Sequence, residues 1–357
     1  MSVFSNEAFR DHEQVVFASD PETGLKAIIA VHSTALGPAV GGCRMWNYAT
    51  EDEAIFDVLR LSRGMSYKNA MADLGLGGGK SVIIGDSAKM KTPELMRAFG
   101  RAVDQLGGRY LSAEDVGISV EDIEIASTQT KYVAGLNKGA AASGDPSPFT
   151  AHGVFFGIKA SVAHRLGKTD LGGVKVAVQG LGHVGYTLCK ELKEAGADLI
   201  VTDINTQNIN RVVEDFGAVA VAADDIIGQD VDVYAPCALG ATVNDDTIDT
   251  IKAPIIAGAA NNVLREDRHG EILRQRGVLY APDYVINGGG IINVANEVHG
   301  RVVSVEDGMK NVENIYNTLT EIFKTSDKTG RTTNAIADEM AEARITAGRL
   351  AKAGKAA

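Results

Sequence analysis

The stretch from Val174 to Asp203 constrains the fold of this chain more than any other. Val174-Lys175-Val176-Ala177-Val178 crowds β-branched residues into a short run and reads as a buried strand. Gly180, Gly182 and Gly185 follow at once, spaced Gly-x-Gly-x-x-Gly. A helical pattern then runs through Leu188, Leu192 and Ala195. Leu199-Ile200-Val201 is a second strand, and it ends on Asp203.

Each of these positions answers a steric or electrostatic demand. Gly180 permits a tight turn, Gly182 lets backbone approach a pyrophosphate, and Gly185 lets the helix pack close to the strand. The helix opens at His183 and Val184, whose N–H groups can take phosphate oxygens. Asp203 stands roughly 20 residues beyond the glycines, where an acid holds both ribose hydroxyls. That acid would repel the 2′-phosphate of NADP, and Ile204 and Asn205 follow it with no Arg, so NAD is favoured. A glycine triad alone also occurs in ordinary α/β turns. The full strand–turn–helix–strand–acid frame is specific.

At 357 residues the chain has room for one or two sizeable domains, and 45% hydrophobic content is that of a globular protein with a large core. A formal net charge of -11, with no long basic run, argues against nucleic acid as a partner. The first residues lack an apolar signal core, and no run approaches the roughly 20 apolar residues of a membrane span. Cys43, Cys189 and Cys237 are far apart without metal spacing, and read as reduced core thiols of a cytoplasmic protein that binds no metal.

In chain order, Gln14–Phe17 and Leu25–Val31 look like strands around the turn Asp20–Gly24. Leu36–Gly42 is a glycine-rich stretch where backbone can approach a ligand. Thr50 and Glu53 form a capping box for a helix to about Ala72, with Lys68 near its end. Leu74–Lys80 breaks that helix and Ser81–Gly85 is a strand. Helices are expected from Thr92-Pro93, with Leu95, Phe99, Val103 and Leu106 on the apolar face, and over Val120–Thr128. Tyr110–Ala113 is a strand between them. Ser143–Pro148, with two prolines and a glycine in six residues, is the expected domain hinge. Beyond it, a helix over Thr150–Arg165 leads into the dinucleotide unit. Further strands at Ala218–Val221, Val231–Ala235, Ile255–Ala257 and Val278–Tyr280 complete a doubly wound parallel sheet.

The glycine turn supplies a cofactor, and a reaction must come from the other half. Lys80 leaves a triple-glycine turn, and Lys68 follows an apolar helix face. A partly buried lysine beside a second cation has its pKa lowered and can serve as a base. Asp115, at a strand end among small residues, is the obvious partner acid. Any single lysine of this kind is more often a solvated surface charge, but three charges at glycine-bordered element ends shift the balance.

At these residues the chain resembles the glutamate/leucine/phenylalanine/valine family of amino acid dehydrogenases, most closely its leucine branch. The resemblance runs through Arg63–Ala70, Gly77–Ile84, Ser112–Gly117, Tyr234–Ala241, Ile256–Asn262 and Tyr280–Asn287, and covers nearly the whole chain. It implies an N-terminal α/β domain for substrate and oligomerisation, 1–145 plus about 325–357, and a Rossmann NAD-binding domain, 146–324, with C-terminal helices returning to the first. It further implies reversible oxidative deamination of branched-chain amino acids. Lys80 would activate water and Asp115 would shuttle protons at the substrate nitrogen. Lys68, helped by backbone at Gly41 and by Asn262, would grip the α-carboxylate. Thr150, Ala238, Ala260, Asn261 and Asn287 would border the nicotinamide. The family's side-chain pocket maps to Val40, Gly41, Ala113, Ile291 and Val294, all apolar or small, which disfavours a glutamate side chain. An aromatic substrate is the alternative within the class, because one or two methylenes are worth only about 1–3 kcal/mol. A catalytically silent sensor need not keep Lys68, Lys80 and Asp115 together. A homo-oligomer is implied, octamers being usual in the leucine branch. His183, Cys43 and Gly288 depart from the family's commoner Asn, Thr and Ala.

Overall fold

The computed structural model describes residues 3–137 and 144–356; Ser143 of the expected hinge lies outside them. The chain divides into two compact units, 1–145 with 294–302 and 341–357, and 146–293 with 303–340.

The first unit is built on a five-stranded sheet ordered β1-β2-β4-β3-β5. Its strands are β1 (Gln14–Asp20), β2 (Leu25–Ser33), β3 (Ala39–Trp46), β4 (Gly77–Ile84) and β5 (Tyr110–Ala113). β1 and β4 run antiparallel to β2, while β3 runs parallel to both β4 and β5. Helix α1 (Glu51–Met71) covers one face, where Ile55, Val58 and Leu59 meet Ile28, Ala30 and Val82. A short α2 (Ser87–Met90) precedes α3 (Pro93–Asp104), and α4 (Val120–Ser127) follows β5. On the other face Leu95, Phe99, Val103 and Ile123 of α3 and α4 meet Ile29, Met45 and Ile83. Alternation along β4 explains both layers, since successive side chains point to opposite faces. The helix starts follow capping chemistry: Thr50 accepts from the Glu53 N–H at 3.2 Å, and Thr92 from the Leu95 N–H at 3.2 Å.

From Ala39 the glycine-rich stretch Leu36–Gly42 is β3, an inner strand, because its glycines let neighbouring backbones close in. β4 likewise starts at Gly77, so Lys80 lies inside the strand rather than at its entry. A Cβ on Gly78 would sit 2.0 Å from the Ser66 backbone nitrogen, so glycine there lets α1 rest directly on β4.

The second unit carries an all-parallel six-stranded sheet ordered β11-β10-β9-β6-β7-β8. The strands are β6 (Lys175–Gln179), β7 (Asp198–Thr202), β8 (Val219–Ala220), β9 (Val233–Pro236), β10 (Ile255–Ile256) and β11 (Leu279–Tyr280). In chain order this is 3-2-1-4-5-6, the order of a Rossmann sheet, with its switch point beside β6. Helices α5 (Ser147–Leu166), α6 (His183–Glu194), α7 (Thr206–Phe216) and α8 (Arg268–Gln275) flank it, and α9 (Asp283–Ile286) follows β11.

The remaining helices are α10 (Gly289–Val298), α11 (Val305–Val312), α12 (Ile315–Thr329) and α13 (Thr333–Ala356). The return to the first unit falls at 341, inside α13, where the sequence suggested about 325. α12 packs on α5 and so stays in the second unit. Arg344 of α13 donates to the Ala70 and Met71 carbonyls at 2.8 and 3.0 Å, closing the C-terminal end of α1. Residues 294–302 also belong to the first unit, tied there by Glu297, which accepts from the Gly135 and Leu136 N–H groups at 3.0 and 3.3 Å. No described helix is long and apolar enough to cross a membrane. The three cysteines are free, and no metal-ligating cluster occurs among the described residues.

Candidate active site

The first unit brings Lys80 and Asp115 together. The Lys80 Nζ lies 2.8 Å from Asp115 Oδ2, with the lysine side chain only 7% exposed. Gly78 and Lys80 are two apart in β4, so the lysine emerges from the face that α1 covers. β3 is crossed by Asp115 at Gly42, where a Cβ would sit 2.9 Å from the Asp115 Cβ. The lysine is thus paired with Asp115, the acid that the sequence offered for it.

A second cation reaches the same carboxylate oxygen. Arg44 Nε donates to the same Asp115 Oδ2 at 3.1 Å, and its Nη1 donates to Asp57 Oδ2 at 2.9 Å. Asp57 in turn accepts from the Tyr48 hydroxyl at 2.7 Å and from Arg60 at 3.0 Å. Burial pushes the Asp115 carboxyl up, but the Lys80 ammonium and Arg44 guanidinium outweigh it and hold the group below the usual carboxylate range. Sequence reasoning missed Arg44, Asp57, Tyr48 and Arg60. The available signal was an arginine inside Gly42-Cys43-Arg44-Met45, a run whose other residues are buried.

Lys68 is half-buried on the last turn of α1. Gly41 lies against that helix too, since its Cβ would sit 3.0 Å from Met65 Cγ, and its carbonyl accepts from the buried Tyr110 hydroxyl at 2.6 Å. Of the five expected pocket positions, Val40, Gly41, Ala113 and Val294 fall in the first unit and Ile291 in the second. Ala113 and Ile291 are half-buried, whereas Val40, inside β3, is 0% exposed.

In the second unit the glycine turn has the expected steric logic. Gly180 adopts φ 98°, in the left-handed region, and lies against Ala238, whose Cβ would be 2.6 Å from a Cβ there. A Cβ on Gly185 would sit 2.0 Å from the Gly180 carbonyl oxygen. At Gly182 the space is open, with no atom within 4 Å of such a Cβ. Gly182 is also the N-cap of α6 and offers no side-chain cap to its first N–H groups, at His183 and Val184. Asp203 is fastened to this turn: its Oδ2 accepts from the Leu181 N–H at 2.6 Å and its Oδ1 from the Asn205 N–H at 2.7 Å. Ile204 beside it is 98% exposed.

Asn287 gathers the other loop of this unit. Its Nδ2 donates to the Ala259 carbonyl at 3.0 Å and to Asn261 Oδ1 at 2.7 Å, which holds the Ala260-Asn261-Asn262 turn. Asn262 sits at φ 53°, unusual for a residue with a side chain. Thr150, near the start of α5, lies against Gly290, whose Cβ would be 2.8 Å from the Thr150 Oγ1. The Asn287 Oδ1 is buried and has no hydrogen-bond partner.

A parallel sheet of this order, with a glycine turn tied to an acid at the end of the next strand, defines a dinucleotide-binding α/β fold. Comparison with known proteins takes the identification further. Residues 12–132 match the model of the Glu/Leu/Phe/Val dehydrogenase dimerisation domain, and residues 143–356 match that of Glutamate/Leucine/Phenylalanine/Valine dehydrogenase. The chain is 54% identical over 345 residues to leucine dehydrogenase of Bacillus subtilis (strain 168), covering 97% of this chain and 94% of that one. It is 47% identical over 346 residues to phenylalanine dehydrogenase of Bacillus thermotolerans, covering 96% and 90%. It also superposes on the crystal structure of L-tryptophan dehydrogenase from Nostoc punctiforme with a TM-score of 0.84 at 46% identity, covering 95% and 97%. The chain belongs to the Glu/Leu/Phe/Val dehydrogenase family and is an amino acid dehydrogenase of the NAD(P)-dependent kind.

Proposed function

We propose that this enzyme carries out the reversible, NAD-dependent oxidative deamination of branched-chain L-amino acids, leucine with isoleucine and valine, to 2-oxo acids and ammonium. The observation that carries the reading is the Lys80–Asp115 pair, 2.8 Å apart and largely buried. The cofactor fits its expected residues. The turn at Gly182 is open and uncapped for a pyrophosphate, Asp203 follows the strand where a ribose would lie, and Asn287 Oδ1 is a buried acceptor in want of a donor. The acid at Asp203, followed by Ile204 rather than a cation, favours NAD over NADP.

When bound, the nicotinamide ring supplies the acceptor for the hydride that leaves the substrate Cα. The chain's own groups do the rest. Lys68, the Gly41 backbone and Asn262 hold the α-carboxylate. Lys80 then orients and activates the water that adds to the imine carbon. Asp115 takes and returns protons at the nitrogen, and collapse releases ammonium. Gly180, Gly182, His183, Val184 and Gly185 hold the phosphates, while Thr150, Ala238, Ala260, Asn261 and Asn287 border the reacting ring. Val40, Gly41, Ala113, Ile291 and Val294 set the side chain accepted. None of these five carries a charge for a glutamate substrate. The enzyme works as a cytoplasmic homo-oligomer, an octamer, assembled through the first unit; the match of that unit to a dimerisation domain supports assembly.

The test is reduced-nicotinamide absorbance with NAD and, separately, leucine, valine, phenylalanine and glutamate at alkaline pH, with Lys80→Ala as control. Asp115 keeps Arg44 in that variant, so no carboxylate is left unpaired and the variant should fold. Leucine turned over fastest, with a silent control, is the expected result. A phenylalanine preference, which the phenylalanine dehydrogenase relative makes the second reading, would keep the mechanism and overturn the pocket assignment. Turnover by Lys80→Ala at the wild-type rate would sink the mechanism.

A further inference from the structure

Asp115 receives two cations on one oxygen, and only one of them has a chemical role in the proposed reaction. Lys80 and Arg44 both donate to Asp115 Oδ2, at 2.8 and 3.1 Å. Arg44 is itself held in a fork, because its second donor is fixed on Asp57 at 2.9 Å. Asp57 is immobilised from two further sides, by the Tyr48 hydroxyl at 2.7 Å and by Arg60 at 3.0 Å. Arg44 comes from β3 and pairs in register with Val82 of β4, two residues from Lys80. Asp57 and Arg60 come from α1, the helix that also carries Lys68. Sheet and helix are therefore joined by polar groups at the carboxylate whose orientation the reaction would depend on. A guanidinium suits this place, because its planar donors serve two carboxylates at once where an ammonium serves as a point charge.

We infer that Arg44 is a positioning residue for catalysis, which orients Asp115 through a relay anchored on Asp57, Tyr48 and Arg60. This rests on the role of Asp115 as the proton carrier. The relay fixes the Asp115 carboxyl group with Oδ2 committed to cations, so that proton exchange with the substrate nitrogen falls to the other oxygen. Arg44 itself touches no substrate. Its loss should therefore slow the chemical step and leave ground-state binding alone.

The experiment compares wild type, Arg44→Gln and Arg44→Lys in steady-state kinetics with NAD and leucine, alongside thermal melting of each. A carboxylate displaced by an ångström can lose about a hundredfold in rate. Arg44→Gln should lower kcat about tenfold to a hundredfold, with both KM values within about twofold of wild type. It should also move the acid limb of the kcat profile to higher pH, since a positive neighbour is lost from Asp115. Arg44→Lys returns the charge without the fork. It should restore the limb but only part of kcat. If Arg44→Gln does not fold, Tyr48→Phe takes its place; it removes one hydroxyl from Asp57 and should lower kcat a few-fold at unchanged KM. Wild-type kcat in Arg44→Gln would overturn the inference while leaving the function intact. A loss that Arg44→Lys does not relieve, with both variants melting early, would mark a scaffold role and overturn it too. A wild type that oxidises no amino acid would overturn the proposed function and this inference with it.

Discussion

Asp203 Oδ2 accepts a hydrogen bond from the Leu181 N–H at 2.6 Å, so the acid that follows β7 is fastened to the glycine turn that follows β6. The positions proposed for ribose and phosphate thus share one corner of the second unit. Removing the carboxylate and supplying a cation should alter cofactor choice. The double variant Asp203→Ala/Ile204→Arg is expected to raise the NADP-to-NAD ratio of kcat/KM by about a hundredfold, the equivalent of roughly 2.8 kcal/mol. Ile204 is 98% exposed, so the new side chain meets no packing obstacle. An unchanged ratio would show that Asp203 serves the turn alone.

The three glycines of the turn should separate into structural and ligand-facing positions. Gly185→Ala would drive a Cβ to 2.0 Å from the Gly180 carbonyl oxygen, backbone that cannot swing aside. We expect that variant to lose about 3 kcal/mol or more of stability, or to fail to accumulate. Gly182→Ala meets nothing within 4 Å, so its melting temperature should stay within a degree or two of wild type. Its KM for the cofactor should nevertheless rise about tenfold, since the added methyl would occupy the space left for the pyrophosphate. Equal melting temperatures for the two variants would contradict this division.

Stability should fall on mild acidification, through a buried histidine that bonds to α1. His32 is 5% exposed, donates or accepts at Ser66 Oγ at 2.7 Å, and stacks edge-on against His12 at 4.9 Å between centroids. Burial, reinforced by His12, Arg349 and Arg63, lowers its pKa to about 3. A histidine held neutral in the folded state is protonated only on unfolding over this range. Stability is therefore full above the unfolded value near 6.5 and declines as pH falls from there toward 3. The loss is on the order of one to two kcal/mol between pH 6.5 and 5. Urea unfolding at pH 7 and pH 5 should show a smaller pH difference for His32→Gln than for wild type. Identical pH dependence in the two proteins would remove His32 from the account.

The dinucleotide unit was legible because its signals are local. Strand, turn, helix and strand are contiguous, and the steric reasons for Gly180 and Gly185 act within a few residues, so β6, α6 and β7 lie where the residues imply. The same holds for the helix caps at Thr50 and Thr92. Longer-range features were not legible. Ala39–Trp46 is glycine-rich and lacks strand propensity, yet it becomes an inner strand because β4 and β5 approach its bare backbone from either side. The end of the second unit moved from about 325 to 340 because α12 packs on α5, a choice between apolar surfaces that periodicity does not distinguish.

The sequence by itself determined the chemistry available: a phosphate turn with an acid after it, two lysines and an aspartate beside glycines, and the family in which those residues have roles. Tertiary structure decided how those charges meet and which others join them. Lys80 and Asp115 are joined by pairing of strands far apart in the chain, and the Arg44–Asp57 relay behind them exists only because α1 lies across β3 and β4. Charge–charge contacts are set by distances of a few ångströms between segments remote in sequence. Spacing along a chain carries no record of them until the sheet is assembled.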